Sequence, residues 1–140
     1  MSEDVKVVQV GRVKVKLPPG ARIVESVDLD VLYEELGMGH GRKSDVLLIL
    51  EYRNRKYAVV VEDTGRPERK DFERLRETLE RLGRMNIVGG DVVVVKVLHH
   101  GGVGKGKSLF VSMARSYKVE VQECRRRFVD LDLVFRRRFR

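Results

Sequence analysis

Residues 45–64 read Asp45-Val-Leu-Leu-Ile-Leu50, Glu51-Tyr-Arg-Asn-Arg-Lys56, Tyr57-Ala-Val-Val-Val-Glu62-Asp63-Thr64. This stretch contains two apolar segments separated by a charged break. Such segments predict a two-stranded β-hairpin. Asp45 begins the first strand and Glu62 lies at the end of the second, so the hairpin brings two carboxyl groups to one end of a sheet. Close carboxylates repel each other unless a cation or proton intervenes, which makes the pair a candidate Mg²⁺ site. The alternative is that these acids are ordinary polar strand ends.

The rest of the chain predicts an α/β fold with a central mixed β-sheet flanked by helices. The β-branched runs Val5–Val10 and Val13–Leu17 around Gly11-Arg12 predict an N-terminal β-hairpin. His99-His100 is interpreted as the start of a loop. The remaining expected elements are a short strand Ala21–Val24, a helix capped by Ser26 or Asp28 and ending near Leu36, a helix Glu68–Arg84, a strand Asp91–Leu98, a short helix Ser108–Tyr117, and closing strands Lys118–Gln122 and Phe128–Phe135.

Length and composition indicate one folded domain spanning residues 1–140. The formal net charge is +8, and such a field attracts polyanions, nucleic acid above all. Two arginine runs near the C-terminus are candidate phosphate contacts, with a solvated basic edge as the alternative. They consist of Arg125, Arg126 and Arg127, and of Arg136, Arg137 and Arg138. Two Asn and two Gln among many charged residues are typical of a thermophile protein.

Localisation follows from what the sequence does not contain. The single cysteine excludes an intrachain disulfide, and the first residues lack the pattern of a signal peptide. No apolar run approaches the roughly 20 residues that span a bilayer. We therefore expect a cytoplasmic protein that has no membrane association.

The hairpin with its two acids resembles the Asp…Glu-x-Lys core of the PD-(D/E)XK nuclease superfamily, in the layout of archaeal Holliday-junction resolvases. The resemblance covers roughly Asp28–Leu98. It implies a restriction-endonuclease-like fold, a nucleic-acid substrate that is DNA, a homodimer, and Mg²⁺ held by Asp45 and Glu62. Glu35, or else Glu34 or Glu25, would be the acid on the preceding helix.

The family's lysine is absent, because Thr64 occupies its position. In the superfamily this lysine positions the attacking water or stabilises charge at phosphorus, and some members carry it elsewhere in the fold. Lys96, a lone amine within a valine-rich strand, and Lys70, at the start of the long helix, are the candidate replacements. The alternative for Lys96 is an exposed sheet edge where its amine reaches water.

A second motif competes with the first. Gly101-Gly-Val-Gly-Lys-Gly-Lys107-Ser108 satisfies the pattern of a phosphate-binding P-loop and follows a predicted strand. Only a short part of the chain follows it, whereas several β–α units usually follow such a loop. Lys105 and Lys107 are also suited to contact a nucleic-acid backbone.

Three functions are consistent with these features. The expected function is nucleic-acid binding, and the more specific hypothesis is Mg²⁺-dependent cleavage of phosphodiester bonds. The first alternative is a non-catalytic nucleic-acid-binding or assembly module in which the acids are structural. The second is a small P-loop nucleotide-binding protein.

Overall fold

A computed structural model describes residues 6–37, 44–85, 87, 89–102, 107–123 and 128–138. The described residues form eight strands and four helices, which confirms the predicted α/β class with mixed sheets. In chain order these are β1 (Val7–Val10), β2 (Val13–Lys16), β3 (Arg22–Asp28), α1 (Leu29–Glu35), β4 (Val46–Tyr52), β5 (Arg55–Thr64), α2 (Arg69–Arg84), β6 (Val93–His100), α3 (Lys107–Tyr117), β7 (Glu120–Glu123), β8 (Val129–Asp130) and α4 (Leu131–Arg138).

The larger sheet has five strands in the order β3-β4-β5-β6-β7. β3, β4 and β5 are antiparallel neighbours, whereas β5, β6 and β7 are parallel. Helix α2 connects β5 to β6 and α3 connects β6 to β7, as parallel neighbours require. The carboxyl ends of four strands, β3, β5, β6 and β7, therefore meet at one edge of the sheet, where β4 begins.

The β4–β5 hairpin is longer than the sequence predicts. Its turn is only Arg53-Asn54, whose positive φ angles of 49° and 61° are those of a two-residue type I′ turn. The residues on either side are paired, Glu51 with Lys56 and Tyr52 with Arg55. The predicted six-residue break is therefore mostly strand, because the tight turn lets its charged residues continue the ladder.

Each face of the larger sheet is covered by a separate apolar cluster. Leu48 and Val59 on one face pack with the N-terminal strands and α4, and Leu47 and Val60 on the other pack with the helices α1, α2 and α3. Since β4 and β5 are buried on both faces, their sequences are almost continuously apolar.

The smaller sheet joins the two ends of the described chain. β1 and β2 form an antiparallel hairpin, and β2 pairs in parallel with β8 through Val15 opposite Val129. The amide of Gln122 on β7 accepts from the Asp130 backbone N–H at 2.6 Å and donates to its carbonyl at 3.0 Å. A single side chain thus connects the last strands of the two sheets.

The predicted closing strand Phe128–Phe135 is wrong beyond Asp130. From Leu131 the chain is helical, and the Asp130 carboxylate accepts from the backbone N–H of Leu133 at 3.1 Å, which caps the new helix. Phe135 then packs against Tyr57, with 5.0 Å between ring centroids. No helix within the described ranges is both long and apolar enough to cross a lipid bilayer.

Candidate acidic site at the carboxyl edge of the sheet

Asp45 immediately precedes β4 and is held by its backbone. Its N–H donates to the Val61 carbonyl at 3.0 Å, and its carbonyl accepts from the Leu29 N–H at 3.1 Å. The preceding N–H, that of Ser44, donates to the Thr78 hydroxyl of α2 at 2.7 Å. The Asp45 carboxylate accepts from the Asp63 backbone N–H at 2.7 Å, so this carboxylate lies against the end of β5.

Glu62 lies on the face of β5 that packs on α2, and it is 3% exposed. Arg74 of α2 donates from Nη1 to Glu62 Oε1 at 3.2 Å and to Asp71 Oδ1 at 3.4 Å. The second oxygen, Glu62 Oε2, is buried and has no hydrogen-bond partner in the described part of the chain. One half of a buried carboxyl group is therefore unsatisfied.

Burial makes both acids harder to ionise. Burial raises the pKa of Glu62 to about 8, the charge of Asp45 raises it too, and Arg74 opposes both. Burial also raises the pKa of Asp45, against the hydrogen bond from Asp63. Both carboxyl groups are thus less easily ionised than exposed acids, and the pKa of Glu62 lies above neutral pH.

These two residues suit Mg²⁺, which is bound in proteins by one or two carboxylates and keeps several waters. The unsatisfied Oε2 of Glu62 beside a second carboxylate is the feature that a cation would complete. Among the described residues, no group of three or more His, Cys, Asp or Glu side chains is arranged to hold a metal ion. The candidate side-chain donors are thus the carboxylate oxygens of Asp45 and Glu62.

Asp45 is the more accessible of the two acids. It lines a pocket of about 360 Å³ together with Asp28, Asp63 and the Gly11-Arg12 turn of the N-terminal hairpin. Glu62 is almost fully buried. A ligand in this pocket would therefore meet Asp45 before Glu62.

The residues predicted to assist this pair lie elsewhere. Lys96 is in β6, one residue before the segment of that strand that pairs with β7, and its Nζ donates to the Tyr117 carbonyl. Lys70 forms an exposed ion pair with Glu68 at 3.4 Å. Glu35 is an exposed residue at the end of α1. In the described contacts none of the three reaches Asp45 or Glu62.

Arg74 is the cation that the structure places at Glu62, and it was not among the predicted site residues. Thr64, at the position of the family's lysine, donates from its hydroxyl to the Arg66 carbonyl at 3.4 Å. The signal for Arg74 is a polar row, Asp71, Arg74 and Thr78, at helical spacing beside the apolar stripe of α2. Asp71 and Thr78 are buried, which marks this row as facing inward.

The interpretation of His99-His100 as the start of a loop is wrong. Both residues belong to β6 and are buried, because β7 continues the sheet beside them through Gln122 and Glu123. His99 Nδ1 is 3.0 Å from an Asp63 carboxylate oxygen. Since Asp63 is opposite His99 and next to Glu62 in the ladder, this pair lies on the other face of the sheet from Glu62.

The predicted basic contacts are described only in part. Arg136, Arg137 and Arg138 form the exposed last turn of α4, and Arg136 donates to Asp132 at 2.9 Å. Lys107 is the exposed first residue of α3. The middle of the P-loop-like segment, residues 103–106, lies outside the described residues. The predicted contacts that also lie outside them are Lys105, Arg125, Arg126 and Arg127.

Comparison of the chain with models of protein families, with curated proteins and with solved structures found no match.

Proposed function

We propose that this protein binds nucleic acid and cleaves phosphodiester bonds with Mg²⁺ held by Asp45 and Glu62. The proposal includes the finer fold assignment, a restriction-endonuclease-like arrangement in which the β4–β5 hairpin carries both acids. Bound Mg²⁺ would polarise a phosphoryl oxygen and lower the pKa of a coordinated water. DNA is the proposed substrate, because the hairpin resembles that of nucleases that act on DNA.

The observation that carries the proposal is the unsatisfied oxygen of Glu62 beside Asp45. A buried carboxyl group whose pKa is raised to about 8 destabilises the fold whenever it ionises. Such groups are concentrated at functional sites, because catalysis and metal binding require them. The pair also lies where the carboxyl ends of parallel strands meet, the usual location of ligands in open α/β sheets.

Arg74 is proposed to take the role of the missing lysine. Its guanidinium contacts Glu62 and is partly exposed, with 34% of the side chain accessible. A guanidinium can donate to a carboxylate and a phosphate oxygen together, because it carries five N–H groups in a planar fork. Arg74 would therefore stabilise negative charge on the phosphate while it remains bound to the site.

The non-catalytic binding module is the second candidate, and one observation favours it. Arg74 already supplies a positive charge to Glu62, and Glu62 is 3% exposed. In that function the ion pair is a structural link between β5 and α2, and the basic surface alone binds the nucleic acid.

Cleavage assays separate the two candidates. Linear, flapped and four-way-branched DNA would be incubated with the protein and Mg²⁺, with EDTA as the reference. We expect Asp45→Asn and Glu62→Gln each to lower the cleavage rate at least 100-fold, because each variant removes a carboxylate that Mg²⁺ would need as a ligand. Binding of Mg²⁺, followed by calorimetry, should be lost with the rate.

Two exposed acids provide matched controls for these variants. Asp91→Asn lies in the turn before β6 and Glu80→Gln lies on the outer face of α2. Both should retain wild-type rates. DNA binding without cleavage in the wild type, unchanged in the Asp45 and Glu62 variants, would establish the non-catalytic module instead.

A further inference from the structure

A groove between α2 and α3 is lined by a concentration of basic side chains. It has a volume of about 510 Å³ and lies away from the acidic pair. Its lining includes four cations and two serine hydroxyl groups, from Arg69, Arg76, Lys96, Lys118, Ser112 and Ser116. No carboxylate is among the described residues that line it.

Lys96 lines this groove from β6, on the face of the sheet that α2 and α3 cover. Its Nζ donates one hydrogen bond to the carbonyl of Tyr117, the last residue of α3. An ammonium group has three N–H donors, so two are left for a ligand in the groove. The carbonyl at a helix C-terminus also carries partial negative charge, which holds the ammonium in place.

Arg76 is held at the wall of the groove by an aromatic stack. Its guanidinium carbon lies 5.3 Å from the centroid of the Tyr117 ring, and that ring stacks on Phe72 with 5.6 Å between centroids. Phe72 is fully buried in the core. The cation is thereby positioned against the groove before any ligand arrives. Arg69 precedes Arg76 by seven residues, so the two lie on the same side of α2.

The groove holds positive charge that no carboxylate in the described part of the chain neutralises through an ion pair. Within the described residues, none of its four cations forms an ion pair with a carboxylate. Burial lowers the pKa of Lys96, and the charges of Lys118 and Arg76 lower it further. Like charges held close together raise the energy of the folded state, and a bound anion removes that cost.

We propose that this groove binds a phosphate group through Lys96, Arg76 and the hydroxyl groups of α3. Phosphate fits better than a carboxylate because it has more acceptor oxygens and can carry two charges, which matches several converging donors. The phosphate can belong to a nucleic-acid backbone or to a small phosphorylated molecule. Both sources present the same group to the groove.

This site does not depend on the proposed cleavage. Arg74, which contacts Glu62, is two residues from Arg76, and two residues correspond to roughly 200° around a helix. The groove and the acidic pair therefore lie on different sides of α2. Substitutions in the groove should leave Mg²⁺ binding unchanged, so failure of one proposal is distinguishable from failure of the other.

The test measures binding of inorganic phosphate to the full chain by calorimetry, in chloride buffers of matched ionic strength. Saturable one-to-one binding is expected for the wild type. Lys96→Met, which keeps the length of the side chain, and Arg76→Gln should each weaken it at least tenfold. The matched controls are Lys14→Met on β2 and Arg55→Gln at the β4–β5 turn, both exposed and outside the groove lining. They should bind as the wild type does.

A second arm identifies the source of the phosphate. A short single-stranded oligonucleotide replaces inorganic phosphate, and inorganic phosphate is then added as competitor. If the groove variants weaken oligonucleotide binding and phosphate competes, the source is a nucleic-acid backbone. If they weaken only the binding of free phosphate, the source is a small phosphorylated molecule.

The proposal is overturned if the wild type binds neither probe saturably, or if groove and control variants weaken binding equally. Far-UV circular dichroism establishes that each variant is folded. Should Lys96→Met fail to fold, Arg69→Gln replaces it, because Arg69 is exposed at the start of α2 and its side chain can be changed without disturbing the core.

Discussion

Glu62 makes the stability of this protein depend on pH in an unusual direction. Its pKa is about 8 when folded and 4.5 as an isolated side chain. Between these values the folded state binds more protons than the unfolded state, so stability falls as the pH rises from about 4.5 to about 8. Most paired acids do the opposite, because their pKa is lowered on folding.

Glu62→Gln should remove this dependence. A shift of this size corresponds to a free energy on the order of 4 kcal/mol, so the variant should gain about that much on the wild type between pH 5 and pH 9. Urea denaturation across this range measures the difference, with the exposed Glu80→Gln as control. A gap between wild type and variant that stays constant with pH would show that Glu62 ionises as an ordinary acid.

Gly101 is required by the close approach of two strand ends. Its N–H donates to the Gly65 carbonyl at 2.9 Å, and a Cβ atom at this position would also lie 2.9 Å from that oxygen. Gly101→Ala should therefore destabilise the fold by about 1–3 kcal/mol, because a backbone carbonyl cannot move aside as a side chain can.

The control for this substitution is Gly83→Ala within α2, where a Cβ meets nothing within 4 Å. That change should stabilise the protein by up to about 1 kcal/mol, since alanine is the better helix former. Thermal denaturation of both variants tests the contrast. Equal effects at the two positions would contradict the steric argument.

Among the helices and strands, those with unambiguous patterns were predictable. The two apolar segments on either side of the Arg53-Asn54 turn form the hairpin that their pattern predicts. Asp28, one of the two expected caps of α1, accepts from the Asp30 N–H. α4 was not predictable, because Leu131, Leu133 and Phe135 alternate as in a strand. Leu131, Val134 and Phe135 also share a helical face, and packing selects that face, leaving Leu133 39% exposed.

The candidate site was predictable only where local pairing determines it. The pairing of Val46 with Val61 brings Asp45 to the end of β5, and strand pairing follows from the hairpin. The contact between Arg74 and Glu62 depends on how α2 lies across the sheet, which strand patterns do not specify. The contact of Lys96 was not predictable for the same reason, because its partner Tyr117 is on α3 and the position of that helix on the sheet is not specified by strand patterns.

Across the whole molecule, opposite charges are separated. The edge that carries Asp45 is acidic, whereas the α2–α3 groove and the last turn of α4 are basic. Although the net charge is +8, the site at Asp45 is locally negative and would repel phosphate in the absence of a cation. Binding and any cleavage consequently depend on salt in different ways.

Nucleic-acid affinity should fall steeply with salt, because each neutralised phosphate releases counterions. Replacing Arg137 and Arg138 together by Gln should reduce the slope of log K against log salt by nearly 2, about 0.9 for each duplex phosphate contact. Fluorescence anisotropy between 50 and about 300 mM salt measures it. The matched control replaces Arg55 and Lys56, exposed at the start of β5. Identical slopes for the two double variants would mean that α4 does not contact the nucleic-acid backbone.

The pairing of β2 with β8 has a consequence for biosynthesis. The first hairpin leaves the ribosome long before its parallel neighbour, Val129-Asp130, is synthesised. Until then the apolar face of the β4–β5 hairpin that α4 and the small sheet cover stays open to water. Because such long-range pairings form slowly, the nascent protein should pass through a stage at which chaperones can bind this face.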